Sequence, residues 1–146
     1  MAEINNPLVL LVEDNDGHAQ LVTLGMRDCG IDHELVRVSD GTEAINFLRG
    51  KGRFAASKRR KPELVLLDLR LPKMDGLEVL KEIKNDNDLK DIPVVVLTTS
   101  ESEKDIAKAY ESHANSYLVK PMHYDELSSM LQETGFYWLA CNKRVI

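Results

Sequence analysis

The sequence predicts an α/β domain: a doubly wound, five-stranded parallel sheet with helices on both faces. Three observations lead there. The apolar runs Leu8–Val12, Leu64–Leu67, 94–97 (VVVL) and 117–119 (YLV) are short, rich in Val and Leu, and nearly continuous. Such runs fit strands covered on both faces better than strands with one face in water. Segments of helical period separate them, and right-handed crossovers turn the order βαβαβαβαβ into an open sheet wrapped by helices.

The elements follow in order. After the first strand, Ala19, Val22, Met26 and Cys29 form one apolar stripe over residues 16–29, and Gly30 is a plausible stop. Residues 33–38 (HELVRV) are more polar and suit a strand at the edge of the sheet. Asp40 can cap a helix carrying Ala44, Ile45 and Leu48, which Gly50 ends. The connection 51–62 holds Lys51, Arg53, Lys58, Arg59, Arg60 and Lys61. A solvated loop is the simpler reading of that run, and docking of an acidic partner is the alternative. Leu77, Leu80 and Ile83 mark the third helix. Ser100 and Glu103 make a capping-box pattern for the fourth, with Ile106, Ala109 and Tyr110 inward. Leu127, Met130, Leu131 and Trp138 mark the fifth.

A chain of 146 residues supports one domain, and at that length roughly 68–70% of the unfolded surface can be buried without metal or disulfide staples. Lys+Arg 19 against Asp+Glu 24 leaves a net charge of −5, which argues against a nucleic-acid or membrane surface. The opening MAEINNPLVLLVEDN has too short an apolar run for a signal peptide or a membrane span. Cys29 and Cys141 lie far apart with no metal-ligand spacing, as expected of reduced thiols in the cytoplasm.

In open α/β sheets ligands collect beyond the carboxyl ends of the strands. There this sequence places Glu13 and Asp14 after the first strand, Asp68 after the third, Thr98 on the fourth and Lys120-Pro121 after the fifth. Any one acid after a strand is commonly a helix cap, and a lone lysine is usually solvated; the joint placement is the signal. Clustered carboxylates raise one another's pKa unless a cation neutralises them. Oxygen ligands without His or Cys favour Mg²⁺ or Mn²⁺. A metal beside Lys120 and Thr98 suits a phosphoryl group, and Asp68 can accept it as a nucleophile, forming an acyl phosphate. An Asp-nucleophile phosphatase would want a second acid two residues on, where Arg70 stands. A flavin or nucleotide carrier would want a Gly-rich first loop, which here reads EDNDGH.

Taken together, VEDN (12–15), LLDLRLPKMDG (66–76), VVVLTTS (94–100) and SYLVKP (116–121) closely resemble the motifs of the receiver domain of two-component response regulators, the CheY-like fold. The resemblance runs from about residue 8 to 132. It implies strand order 2-1-3-4-5, a receiver over residues 7–134, and an aromatic extension of the last helix over 135–146 with no output domain. It also implies that Asp68 accepts a phosphoryl group from a sensor histidine kinase, and that the chain does no other chemistry than its own phosphorylation and dephosphorylation. Asp14 would bind Mg²⁺ directly, Glu13 largely through water, and Asp68 and the Arg70 backbone carbonyl would complete the site. Lys120 would pair with the phosphate, ahead of a cis bond to Pro121. Thr98 would swing toward the phosphoryl group and Tyr117 would rotate inward. Arg70 and Ser100 would flank the path of the hydrolytic water and tune lifetime. Pro72 and Gly76 fit the family's turn into the third helix.

The basic insert, the stretch IPVVVLTTS and the late aromatic cluster are similar to the single-domain regulators paired with cyanobacterial and bacterial phytochromes. That subgroup implies a phytochrome-like kinase; a chemotaxis-type receiver acting on a motor or other protein is the alternative. Phe136, Tyr137, Trp138 and Leu139 give the last helix more than one apolar side. A second surface is then needed, and a two-fold homodimer through the last strand and helix supplies it. The competing arrangement folds the tail back onto its own domain through a bend at Gly135. The residues beyond the receiver are too few for a DNA-binding or enzymatic output domain, so action through its own surface is expected.

Overall fold

The computed structural model describes residues 6–56 and 60–144. Five parallel strands, β1 (Leu8–Val12), β2 (Glu34–Val38), β3 (Leu64–Leu67), β4 (Val94–Thr98) and β5 (Ser116–Val119), form one sheet in the order β2-β1-β3-β4-β5. The helices are α1 (Asp16–Arg27), α2 (Gly41–Arg49), α3 (Gly76–Asn85), α4 (Glu103–Glu111) and α5 (Tyr124–Phe136). A 3₁₀ turn follows α2 at Gly52–Phe54, and a π-helical turn continues α5 over Tyr137–Cys141.

The predicted doubly wound sheet is present, and its cause is visible in the side chains. Successive residues of a strand point to opposite faces. Leu10, Val12, Val65, Leu67, Val94 and Val96 therefore meet α2, α3 and α4 through Ile45, Leu48, Leu80, Ile83 and Ala109. Val9, Leu11, Leu64, Leu66, Val95 and Leu97 meet α1 and α5 through Ala19, Val22, Met26, Leu127 and Leu131. Every residue of β1, β3 and β4 is buried. β5 is only half-buried along its length, because it is the second edge of the sheet.

Some local expectations shift. Helix α1 ends at Arg27, two residues short of Cys29, which is still buried. The cap of α4 is Ser102, whose hydroxyl accepts from the Asp105 amide at 3.4 Å. Ser100 instead turns its hydroxyl to the Asp105 carboxylate and accepts from the Ser102 amide at 3.3 Å, so the cap lies two residues later than the Ser100–Glu103 pattern places it and the reciprocal bond of a capping box is not made. Tyr110 is 49% exposed, because only Ala109 and Asp105 of α4 are buried. No cis peptide bond occurs among the described residues, so the Lys120–Pro121 bond is trans. That isomer is favoured by about 0.5–1 kcal/mol before proline, and Lys120 reaches the site without the alternative.

The basic connection is partly spent on the domain's own acids. Arg53 pairs with Glu43 at 2.9 Å, and Arg60 pairs with Glu34 and donates to the Asn6 carbonyl at 2.7 Å. Lys58 and Arg59 lie outside the described residues.

The tail divides. Trp138 and Leu139 pack against the α1/α5 side of the core, and Arg144 pairs with Glu63 at 3.0 Å. Phe136 and Tyr137 stay 50% and 51% exposed. Gly135 makes no bend: α5 runs through it, and a Cβ there would lie 2.7 Å from the Cys29 Cβ. It is small because α1 and α5 meet there.

Gly76 holds the entry to α3 against the strand that carries the central acid. A Cβ on it would stand 2.3 Å from the Asp68 carbonyl oxygen and 2.6 Å from the Leu69 Cα, both backbone. Gly76→Ala is expected to lower stability by about 3 kcal/mol, the overpacking cost where backbone must move. Urea denaturation measures it, and an unchanged midpoint would mean the start of α3 is free to shift.

Candidate functional site

The carboxyl ends of β1, β3, β4 and β5 meet at one rim. Parallel pairing sets this up, because the register that aligns Val12 with Leu67 and Thr98 with Val119 brings the following residues level with one another. The backbone amide of Asp68 donates to the Val12 carbonyl at 3.1 Å, and that of Lys120 to the Thr98 carbonyl at 2.7 Å.

Lys120 is the centre of the arrangement. Its ammonium is nearly buried and has three partners: the Glu13 carboxylate, the Asp68 Oδ2 at 3.1 Å and the His18 Nδ1 at 3.2 Å. These match its three N–H donors. Glu13 is 1% exposed and Asp68 8%, whereas Asp14 stands at the exposed mouth. One carboxylate oxygen from each of Glu13, Asp14 and Asp68 lies within 4.8 Å of the others, a separation that one cation can span. The oxygen-only set suits a hard divalent ion.

Burial drives the electrostatics. It pushes the Glu13 carboxyl up to about 7, against the Lys120 hydrogen bond and with help from the Asp68 charge. Burial would also raise Asp68, but the Lys120 charge and the Arg70 amide, which donates to Oδ1 at 3.2 Å, outweigh it and hold Asp68 below its ordinary value. Of the two buried acids Glu13 is therefore the one that more readily holds a proton and Asp68 the one more readily ionised, the form in which a carboxylate is a nucleophile. A divalent ion at this cluster must displace that proton. Its affinity is expected to be about tenfold weaker at pH 6 than at pH 8, the ratio set by a group titrating near 7. Mn²⁺ titration followed by electron paramagnetic resonance measures this, and Glu13→Gln should flatten the dependence. Equal affinities at the two pH values in the unaltered protein would contradict it.

The remaining predicted residues surround the core of the site. Thr98 is fully buried, and its Oγ1 accepts from the Ser100 amide at 3.4 Å. Tyr117 is half-buried, and its hydroxyl donates to the Ser100 carbonyl at 3.0 Å. The Arg70 side chain points away from Asp68, to the Asp105 carboxylate at 2.7 Å. Phe136, Tyr137, Trp138 and Leu139 are not part of this rim; they belong to the end of α5 and the turn after it.

Sequence reasoning missed His18, Asp105 and Arg37. His18 is the third residue of α1, with its amide bonded to the Asn15 cap, a place at the helix start beside the acidic loop that could have suggested it. Asp105 is the third residue after the Ser102 cap. Arg37, on β2, donates from Nε to the Glu13 carbonyl at 2.9 Å and fixes the backbone of the acidic loop; nothing local to β2 signals that role. Beside Lys120, residues His18, Leu21, Thr99, Met122 and Leu127 line a groove of about 380 Å³.

Comparison with known proteins bears on this arrangement. Residues 9–132 match the family model described as the response regulator receiver domain. Over 141 residues the chain is 47% identical to the response regulator Rcp1 of Synechocystis, covering 95% of each chain. It is 45% identical over 139 residues to FilR2 of Methanothrix harundinacea, a probable methanogenesis regulatory protein, covering 93% of this chain and 86% of that one. The crystal structure of the phosphorylated cyanobacterial phytochrome response regulator RcpA superposes with a TM-score of 0.89 at 40% identity, over 98% of this chain and 100% of that one. The Mn²⁺-bound form of Rcp1 does so with a TM-score of 0.88 at 45% identity, over 96% and 99%.

Proposed function

The chain belongs to the response regulator receiver domain family, and from that premise we propose that Asp68 is the phosphoacceptor of a two-component signalling protein served by a phytochrome-like sensor histidine kinase. The observation that carries the reading is the ionised, buried Asp68 held between Lys120 and the Arg70 amide, facing Glu13 and Asp14. The kinase assignment is supported by the likeness to RcpA, a phytochrome response regulator. The groove beside Lys120, with Met122 97% exposed at its edge, offers apolar surface for the donor protein.

In the reaction a carboxylate oxygen of Asp68 attacks phosphorus, and the P–N bond of a phosphohistidine breaks with its electron pair leaving on the imidazole. Glu13, Asp14, Asp68 and the Arg70 backbone carbonyl would hold Mg²⁺ or Mn²⁺, which when bound neutralises phosphoryl charge and fixes geometry. Lys120 exchanges its carboxylate contacts for a phosphoryl oxygen. The Thr98 hydroxyl turns to the same group, and Tyr117 follows, carrying the change to α4, β5 and α5. Arg70 and Ser100 border the acyl phosphate and set its lifetime. The receiver spans residues 7–134, with 135–146 as its aromatic extension. The chain acts in the cytoplasm through protein surfaces, without binding nucleic acid or catalysing turnover of another substrate. Among the described residues no helix is long and apolar enough to cross a membrane.

Incubation with acetyl phosphate and Mg²⁺ should add one hydroxylamine-sensitive phosphoryl group, seen by intact-protein mass spectrometry and lost with a chelator. Failure of the protein to take up any phosphoryl group would contradict the reading.

The output surface is a second copy of the chain. Half-exposed Phe136 and Tyr137 lie beside the partly covered Trp138 and Leu139, next to the half-buried edge strand β5. A two-fold contact through β5, α5 and the aromatic turn would cover them. Light scattering on dilution from high to low micromolar should show a dimer giving way to monomer, and a constant monomer mass would remove the claim.

A further inference from the structure

Asp105 has no part in the chemistry described above, yet it ties together the loops that border it. Its carboxylate Oδ2 accepts from the Arg70 guanidinium at 2.7 Å and from the Ser100 hydroxyl at 2.6 Å. The Ser100 carbonyl in turn accepts from the Tyr117 hydroxyl at 3.0 Å. Asp105 is 8% exposed and sits in the first turn of α4, where the helix dipole favours an acid. One side chain thus joins the end of β3, the end of β4, β5 and the start of α4.

Arg70 has a reason to leave. Its amide already touches Asp68, so its guanidinium is tethered within a side chain's reach of any group placed on that carboxylate. It gives Asp105 one hydrogen bond from one terminal nitrogen, and its side chain is 65% exposed. A phosphoryl group carries about −1.5 to −2 charge and several acceptor oxygens, and a guanidinium can bind such a group through two parallel hydrogen bonds.

Resting on the reading of Asp68 as phosphoacceptor, we propose that Asp105 is a positioning residue that holds Arg70 away from the phosphoryl site, and that phosphorylation moves Arg70 from Asp105 to the phosphoryl oxygens. Asp105 then shortens acyl-phosphate lifetime by competing for Arg70. Departure of Arg70 leaves the Asp105 carboxylate held by the Ser100 hydroxyl alone, which loosens the tie between the β3–α3 loop and α4 and signals the event at the surface of α4.

The test is a double-mutant cycle on the dephosphorylation half-life, measured on full-length protein after acetyl phosphate is removed. Asp105→Asn should lengthen the half-life about two- to fivefold, the range expected from one partly exposed ion pair. Arg70→Gln should shorten it, and Asp105→Asn added to Arg70→Gln should change nothing further. An equal effect of Asp105→Asn in both backgrounds, or none in either, overturns the switch while leaving Asp68 as phosphoacceptor. Should Asp105→Asn not fold, the Arg70 side-chain NMR resonances of the unaltered protein decide the matter. They should shift on phosphorylation, and unmoved resonances overturn the proposal. A protein that never takes up the phosphoryl group overturns both readings together.

Discussion

Asp68→Asn is expected to remove acyl-phosphate formation completely while leaving the fold intact. The amide oxygen is uncharged and a poor nucleophile, so attack on phosphorus fails at the first step. The amide is close in shape to the carboxylate, but it has one acceptor oxygen where Asp68 uses two, Oδ2 for Lys120 and Oδ1 for the Arg70 amide, so only one of those contacts survives and the NH2 group faces the other donor. Loss of the Asp68 charge also removes one of the influences that raise Glu13. Stability near neutral pH should therefore fall by about 1–3 kcal/mol, the cost of one donor left without its acceptor, which still leaves a folded protein to assay. Intact mass after acetyl phosphate treatment, beside a thermal melt, separates the two effects. A persistent label in a well-folded variant would move the site elsewhere.

Lys120→Met should produce the largest loss of stability of any change at the rim. It leaves Glu13 and Asp68, both buried, facing each other with no cation between them. Removing one partner of a buried ion pair costs about 3–5 kcal/mol because the other charge is left uncompensated. The pH dependence has a definite sign. Lys120 lowers the pKa of both acids in the present structure, so without it both folded-state values rise. An acid whose folded pKa exceeds its unfolded value binds more protons in the folded state, and stability then falls as pH rises. The variant should accordingly be weakest at pH 8, recover toward pH 5, and regain stability at pH 8 when Mg²⁺ replaces the missing charge. Urea denaturation at both pH values, with and without Mg²⁺, measures this. A variant as stable as the parent at pH 8 would mean that the ammonium does not hold the acids together.

The legible parts of this protein were those whose cause is local. The runs at β1, β3 and β4 lack alternation because layers of helix cover both faces, and that is written in consecutive residues. The acids and Lys120 could be placed because a parallel sheet puts successive strand ends at one rim. The cap of α4 is not separable by sequence, because Ser100–Glu103 and Ser102–Asp105 share one spacing; in the structure Ser102 caps, and the Asp105 carboxylate goes to Ser100 and to Arg70, a residue of another loop. Tyr117, expected to rotate inward on phosphorylation, is half-buried here with its hydroxyl held by a carbonyl of the β4–α4 loop, a partner that periodicity does not reveal. The aromatic tail announced a need for a second surface without saying whose. Trp138 and Leu139 found their own core, and Gly135 reflects the space left by Cys29. Such contacts join residues far apart in the chain, and periodicity does not carry them.

Reductive trapping of the acyl phosphate tests the central claim most directly. Borohydride converts an aspartyl phosphate to homoserine, and peptide mass spectrometry then locates the change. Protein treated with acetyl phosphate and Mg²⁺ should yield homoserine in place of Asp68 and at no other acid. Homoserine at Asp14 or at a carboxylate outside the rim, with Asp68 unmodified, would contradict the account.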